Sequence, residues 1–287
     1  MAGLLSAKDY PKQETPPPAA VAYREEALRQ GAGIDGRDCA YGDNIYQRIA
    51  LFVPPRPNGT VLAYMHGGGW TSGFKEMLAF MAPAFCDAGI IFASMGYRLA
   101  PDHLFPDQFD DTGRGLAWLH GHVGEYGGNP ARIFVGGHSA GGHYAALLSV
   151  RRDWQARHGL PPDVIRGCLP VSGVYDLTGS GGLSARPRFL GPAESGHDAP
   201  ASPIKHDLRN APPFLMAHGD KDFPHLMRQA ADMERALQAA GVAAERIVFA
   251  GCDHFQSSLA TADASKPWRR RSVEWMMAHA RIGVGAI

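Results

Sequence analysis

The sequence predicts an α/β fold, a mostly parallel central sheet flanked by helices, on three observations. From residue 43 onward strand-like and helix-like stretches alternate, the pattern of parallel strands joined by crossover helices. Several of the strand-like stretches are short continuous apolar runs, as strands buried on both faces require. The third is Gly137-His138-Ser139-Ala140-Gly141, which falls where a strand-like run meets a helical one. There the chain can turn sharply and leave the central side chain exposed.

The first 40 residues read as an N-terminal extension. They hold the Pro-rich stretch Thr15-Pro16-Pro17-Pro18 and a helix over 19–30 stopped by Gly31; such a segment either drapes over the domain or flanks its site. The domain itself runs over 41–287. Its strands are expected at 45–53, 60–66, 90–94, 132–136, 165–172, 213–218 and 246–250. Helices lie between them: Phe109, Leu116, Leu119 and Val123 share one face, and residues 140–150 form a helical run. Leu226, Ala230, Met233 and Leu237 share another face, with Pro224 near the start and Gly241 just past the end. A last helix begins near Pro267. The stretch 176–212 breaks the alternation. It is rich in Gly, Ser, Pro and Ala and lies between two strands, where a short lid over the site is expected.

A chain of 287 residues with 45% apolar and 20% charged residues has the composition of a globular protein with a substantial core. Lys+Arg and Asp+Glu balance at 28 each, which leaves no electrostatic footprint for nucleic acid or an anionic membrane. Cys39, Cys86, Cys168 and Cys252 are widely spaced and read as free thiols of a reducing compartment. Leu4-Leu5 before Lys8 and Asp9 is too short for a signal peptide, and no run reaches the length of a membrane span. A cytoplasmic protein acting on a small molecule is the expectation, with oligomeric state left open.

The candidate chemistry rests on residues far apart in the chain. Serine is a weak nucleophile near neutral pH, so Ser139 needs a histidine to take its proton and an acid to hold that histidine's tautomer. Of 13 histidines, His254 in Gly251-Cys252-Asp253-His254-Phe255 lies in a loop after the last predicted strand. His138 and His143 flank the serine as packing or hydrogen-bonding residues, and His66 braces a glycine run. The loop after the preceding strand, His218-Gly219-Asp220-Lys221-Asp222-Phe223-Pro224, offers two acids. Asp222 is favoured, because Asp220 abuts the strand end and suits the turn N–H groups; Asp253 reads as a loop cap. In His66-Gly67-Gly68-Gly69-Trp70, the N–H groups of Gly68 and Gly69, with that of Ala140, can face a negative oxygen. No His-Glu-x-x-His and no Gly-x-x-x-x-Gly-Lys-Ser/Thr is present, so neither a metal nor a phosphate-bearing cofactor is expected.

The order Ser, acid, His and these motifs resemble the α/β-hydrolase superfamily over roughly residues 40 to 280. Tyr97-Arg98-Leu99-Ala100-Pro101 and His66-Gly67-Gly68-Gly69 resemble the hormone-sensitive-lipase-like esterases, which usually carry an acidic residue where this chain has His138. Gly137-His138-Ser139-Ala140-Gly141, His66-Gly67-Gly68-Gly69-Trp70, Ser172-Gly173-Val174-Tyr175-Asp176-Leu177 and Asp253-His254-Phe255 resemble the kynurenine formamidase-like enzymes. The resemblance implies Ser139, Asp222 and His254 as triad, and Gly68, Gly69 and Ala140 as oxyanion hole. It also implies an aromatic substrate surface at Trp70 and Phe255, although a buried anchor is an equal alternative for Trp70. Hydrolysis of N-formyl aromatic amides is the first expectation and of short-acyl esters the second. A catalytically silent fold used for binding is the alternative of another class.

Overall fold

The computed structural model describes residues 3–182, 185 and 187–280. Residues 183, 184 and 186 of the expected lid, and 281–287 of the domain, lie outside the described residues. The first half contains α1 (Pro18–Gly31), β1 (Arg37–Ala40), β2 (Arg48–Phe52), β3 (Val61–Met65), α2 (Ala82–Cys86), β4 (Ile91–Met95) and α3 (Asp107–His122). The middle holds β5 (Ile133–His138), α4 (Ala140–Val150), α5 (Asp153–Arg157) and β6 (Ile165–Val171). The last part adds β7 (Phe214–Gly219), α6 (Pro224–Ala239), β8 (Ala244–Phe249), α7 (His254–Leu259) and α8 (Pro267–His279).

One sheet takes all eight of these strands, in the order β1-β2-β4-β3-β5-β6-β7-β8. The pairings β1/β2 and β2/β4 are antiparallel and the rest parallel. Every residue of β3, β4 and β5 is buried, which is why those strands read as unbroken apolar runs and not as alternation. All eleven residues of α4 are buried too, and Val61–Met65 of β3 lies between β4 and β5 in register.

The N-terminal extension is less separate than its sequence suggests, because β1 completes the sheet as its edge strand, Arg37 opposite Leu51 through Ala40 opposite Arg48. Its residues are only half-buried or exposed and carry no alternating apolar signal, so nothing in their pattern announces a strand.

Register sets where the site forms. Met65 pairs with Gly137, His138 with Val171, Val171 with Ala217, and Gly219 with Phe249. The parallel strands β3, β5, β6, β7 and β8 therefore end at one edge, and the loops that follow them emerge side by side. In open α/β sheets that carboxyl edge is where ligands bind.

Candidate active site

Ser139 joins β5 to α4 with φ 54° and ψ −117°, a conformation that costs a non-glycine residue roughly 1–3 kcal/mol. Its neighbours impose it: Ser139 N–H donates to the Val171 carbonyl at 3.0 Å, and His143 N–H donates to the Ser139 carbonyl at 2.9 Å. The turn is tight because two glycines let strand and helix meet. A Cβ at Gly137 would lie 2.2 Å from the Gly141 carbonyl carbon, and one at Gly141 would lie 2.0 Å from the Met65 carbonyl oxygen. The Ser139 side chain makes no capping bond to α4; its Oγ lies 3.0 Å from His254 Nε2.

His254 connects to Asp222 on its other side, with Nδ1 2.8 Å from Oδ1. That same oxygen accepts from Phe223 N–H at 2.7 Å, and Ser172 Oγ donates to Oδ2. Burial pushes the Asp222 carboxyl up, but the bonds from His254, Ser172 and the Phe223 N–H outweigh it and hold the carboxyl well below its ordinary range. An ionised Asp222 can only accept, so His254 carries its proton on Nδ1 and leaves Nε2 to accept from the Ser139 hydroxyl. Asp220 instead accepts from Gly251 N–H at 2.8 Å. Asp253 caps α7 through the N–H groups of Phe255 and Gln256, which seats His254 as the first residue of that helix. His138 Nε2 lies 2.9 Å from the His254 carbonyl oxygen and so donates to it.

The glycine run forms the opposite wall. Gly68 has φ 129° and Gly69 φ 59°, and neither N–H meets an acceptor among the described residues. The Gly68 carbonyl is turned away, accepting from Thr71 N–H, Ser72 N–H and Ser72 Oγ. Ala140 opens the eleven-residue α4, so its N–H is one of the helix's orphan donors at the positive end of the helix dipole. The loop rests on the Tyr97 to Pro101 motif: Tyr97 Oη donates to the His66 carbonyl at 2.7 Å, and its ring stacks on His66 at 4.4 Å. Ala100 N–H donates to the Trp70 carbonyl at 2.9 Å. These features give a hydroxyl with a waiting base, beside free donors for a negative oxygen. Among the described residues no group of three or more His, Cys, Asp or Glu could hold a metal ion, and no helix is long and apolar enough to cross a membrane.

A cavity of about 330 Å³ opens over Ser139 and His254. Its walls bear on two expectations. Trp70 does not face it: the indole is 6% exposed, stacks on Phe189 at 4.3 Å and donates through Nε1 to His143 Nδ1 at 3.2 Å. A φ of 64° at Trp70 swings its side chain under the loop, so the buried-anchor alternative is the one found. Of the expected lid 176–212, Arg188 is the one described residue on the cavity wall. Leu177, Ala185, Phe189, Leu190 and Ala201 are buried in the core instead, because their apolar side chains have a better place there than in solvent. The outer wall comes from the extension, through Glu14, Pro16, Pro17, Tyr23 and Arg24, and Arg188 pairs with Glu14 across the rim.

Phe255 does line the cavity, half-buried and stacked on Tyr23 at 5.6 Å. Phe223 lines it too and was missed by sequence reasoning. It is 46% exposed, with its ring 4.7 Å from that of His254. The available signal was an aromatic residue directly after the favoured acid. Ser172 was also missed as a partner of Asp222, although its motif had been noted.

A family described by the alpha/beta hydrolase fold matches residues 62–257. Among curated proteins the chain is similar to a probable isoprenylcysteine alpha-carbonyl methylesterase of Arabidopsis thaliana, 28% identical over 76% of this chain and 50% of that one. It is also similar to esterase LipC of Mycobacterium tuberculosis, 31% identical over 83% of this chain and 63% of that one. The chain thus spans 50% and 63% of the lengths of these curated relatives. Among solved structures a thermostable carboxylesterase cloned from a metagenomic library superposes with a TM-score of 0.73 at 24% identity, over 94% of this chain and 99% of that one. Esterase B of Lactobacillus Rhamnosis superposes with a TM-score of 0.76 at 18% identity, over 92% of each chain. The matched stretch holds Ser139, Asp222 and His254 along with the sheet edge that presents them, and the chain belongs to the alpha/beta hydrolase fold family.

Proposed function

We propose that this chain is a serine hydrolase that cleaves a small carboxylic ester through an acyl-enzyme on Ser139. The observation that carries it is the unbroken hydrogen-bond line from Asp222 through His254 to Ser139 Oγ, at 2.8 and 3.0 Å, opening on free N–H donors. Ser139 Oγ attacks the substrate carbonyl carbon as His254 Nε2 takes its proton, and the carbonyl oxygen becomes an anion held by the N–H groups of Gly68, Gly69 and Ala140. His254 then gives the proton to the departing alcohol oxygen, leaving the acyl group on Ser139. Water, losing its proton to His254, attacks the acyl carbon and releases the acid and the free serine. Asp222 stays ionised throughout and stabilises the imidazolium formed at each stage.

Ester cleavage is supported by the names of the curated relatives, a methylesterase and an esterase. A short acyl group is supported by the cavity of about 330 Å³, near the small end for ligand sites. Aryl formamides, which the sequence motifs put first, become the second reading: Trp70 no longer offers a face to the ring, but Tyr23, Phe223 and Phe255 give the cavity an aromatic wall beside His254. Labelling by a fluorophosphonate tests the reading: stoichiometric modification of Ser139, with hydrolysis of p-nitrophenyl acetate, is expected. No labelling and no turnover would leave a silent binding fold. An N-formyl aromatic amide that beats the acetate ester a hundredfold in kcat/KM, about 2.7 kcal/mol, would restore the formamidase reading.

A further inference from the structure

We propose that Gln13 is a positioning residue for the oxyanion loop, so that the N-terminal segment sets the alignment of the donors as well as walling the cavity. The inference rests on the oxyanion role given above to Gly68 and Gly69.

The loop from His66 to Gly73 has an unusual backbone, with Gly68 at φ 129°, Gly69 at 59°, Trp70 at 64° and Gly73 at 103°. Such a run has no regular ladder of its own, so contacts from outside must fix its shape. Tyr97 holds His66, and Ala100 with Gln108 holds the Trp70 carbonyl. At the far end Gly73 has, among the described residues, a single partner for both of its backbone polar groups. Gln13 Nε2 donates to the Gly73 carbonyl at 2.9 Å, and Gln13 Oε1 accepts from Gly73 N–H at 2.9 Å. This is a two-bond clamp, the side-chain counterpart of one rung of a sheet. Gly73 is also packed closely against the start of the loop: a Cβ there would lie 2.5 Å from the Gly67 carbonyl oxygen.

The carboxamide is itself held. The Gly73 N–H and carbonyl fix which end is oxygen and which nitrogen, and the second N–H reaches Tyr46 Oη at 3.0 Å. Three residues upstream, Tyr10 stacks on Phe74 at 4.9 Å and packs on Tyr46 at 5.1 Å. Tyr10 Oη donates to Glu76 Oε2 at 2.8 Å and accepts from Lys75 Nζ at 3.0 Å, and Lys75 pairs with Asp38 of β1 at 3.1 Å. The side chains of Lys75 and Asp38 are almost fully buried. The segment is therefore anchored to the sheet edge at Tyr10, and Gln13 carries that anchorage to the loop that holds Gly68 and Gly69. Donors for an oxyanion work only if they stand in place before charge develops, and one lost donor typically costs about a hundredfold or more in kcat. A loop freed at Gly73 keeps its donors but lets them wander.

The test compares the unaltered chain with Gln13→Ala and with Gln13→Asn, whose shorter side chain cannot span both groups of Gly73. A Lys12→Ala variant, on the same segment with an exposed side chain, serves as control. For p-nitrophenyl acetate, kcat should fall roughly ten- to a hundredfold in both Gln13 variants, as for a donor displaced but not removed. KM should stay within about twofold, and Lys12→Ala should match the unaltered chain. A boronate that places a tetrahedral oxygen in the hole should lose affinity in step with kcat, whereas a merely loosened fold would not couple the two. Hydrogen exchange of peptides covering 66–77 should speed up whether or not this ester is a substrate, so the clamp is tested apart from the proposed reaction. Unchanged exchange in that loop overturns the inference, as does a raised KM with kcat kept, which would make Gln13 part of the substrate wall only. An unaltered chain inactive on every ester would sink the proposed function, while the exchange result still decides the clamp.

Discussion

Ser172 Oγ donates to the one carboxylate oxygen of Asp222 that His254 does not use. Ser172 has φ 50°, and its N–H is tied to the Ala217 carbonyl at 2.8 Å, so the end of β6 is bent to aim that hydroxyl at the acid. Removing it strips Asp222 of one of its three donors. Hydrogen bonds to charged groups contribute about 1.5–3 kcal/mol, so Ser172→Ala should lower kcat/KM roughly ten- to a hundredfold. Activity within twofold of the unaltered chain would show that the bond only fills space.

The line of three groups predicts a hierarchy. Ser139→Ala and His254→Ala should each cost on the order of 10⁶ in kcat, and Asp222→Asn on the order of 10⁴, by analogy with other serine triads. Asp220→Asn should be mild, because that carboxylate serves the Gly251 N–H and not the imidazole. Steady-state rates on p-nitrophenyl acetate decide it, and an Asp220 variant worse than the Asp222 variant would reverse the assignment.

Much of this was legible from residue order because the fold converts order into position. Short apolar runs mark strands buried on both faces, and their parallel pairing brings Ser139, Asp222 and His254 to one edge. The cavity wall was not legible, for a physical reason. Trp70 and Phe189 are 119 residues apart and pack face to face, and no local signal tells a glycine-loop tryptophan which way a positive φ turns it. The stretch 176–212 has the composition of a lid, and its composition does not tell that Leu177, Phe189, Leu190 and Ala201 pack in the core. Much of the described wall lies in a Pro-rich extension whose contacts with the loop are non-local, as in Gln13 with Gly73.

Two glycines of the loop should respond differently to alanine. A Cβ at Gly68 would sit 2.0 Å from the Ser72 carbonyl oxygen, whereas at Gly69 none of the described residues beyond its two chain neighbours lies within 4 Å. Gly68→Ala must rebuild the loop, and turnover should fall by more than a hundredfold, as for a lost oxyanion donor. Gly69→Ala carries only the cost of a left-handed residue, roughly 1–2 kcal/mol, and should keep measurable activity. Equal losses in the two variants would count against the loop geometry.

Stability should fall on acidification before any carboxylate is protonated. Burial lowers His66 and His143 to about 4 from the ordinary 6.5, and burial with the neighbouring His254 lowers His138 as well. The fold holds all three neutral, so below about pH 6.5 the unfolded chain binds more protons than the native one. Their contribution is complete above that pH and is lost as pH falls toward 4, at up to about 1.4 kcal/mol per pH unit for each histidine. Urea midpoints at pH 7.5, 6 and 5 check the slope. His143→Gln, which can still accept from Trp70 and donate to the Ala201 carbonyl, should flatten it by about one proton. A midpoint that does not move across this range would mean that these imidazoles reach solvent.

Phe223 offers a handle on the leaving group. In the proposed reaction His254 delivers its proton to the departing atom, and the Phe223 ring lies 4.7 Å from His254 on the cavity wall. An aromatic leaving group departing there would meet that ring, and aromatic pairs contribute about 0.5–1.5 kcal/mol beyond area burial. Phe223→Ala should therefore lower kcat/KM for phenyl acetate about three- to tenfold relative to ethyl acetate. The Asp222 contact survives the change because it comes from the Phe223 backbone N–H, so the ester with no ring reports on the triad alone. If both esters fall together, Phe223 acts by shielding His254 from water and not by receiving the substrate. If only the aryl ester falls, the same pair of enzymes assayed on N-formyl and N-acetyl anilides tells whether the aromatic wall serves amides as well as esters.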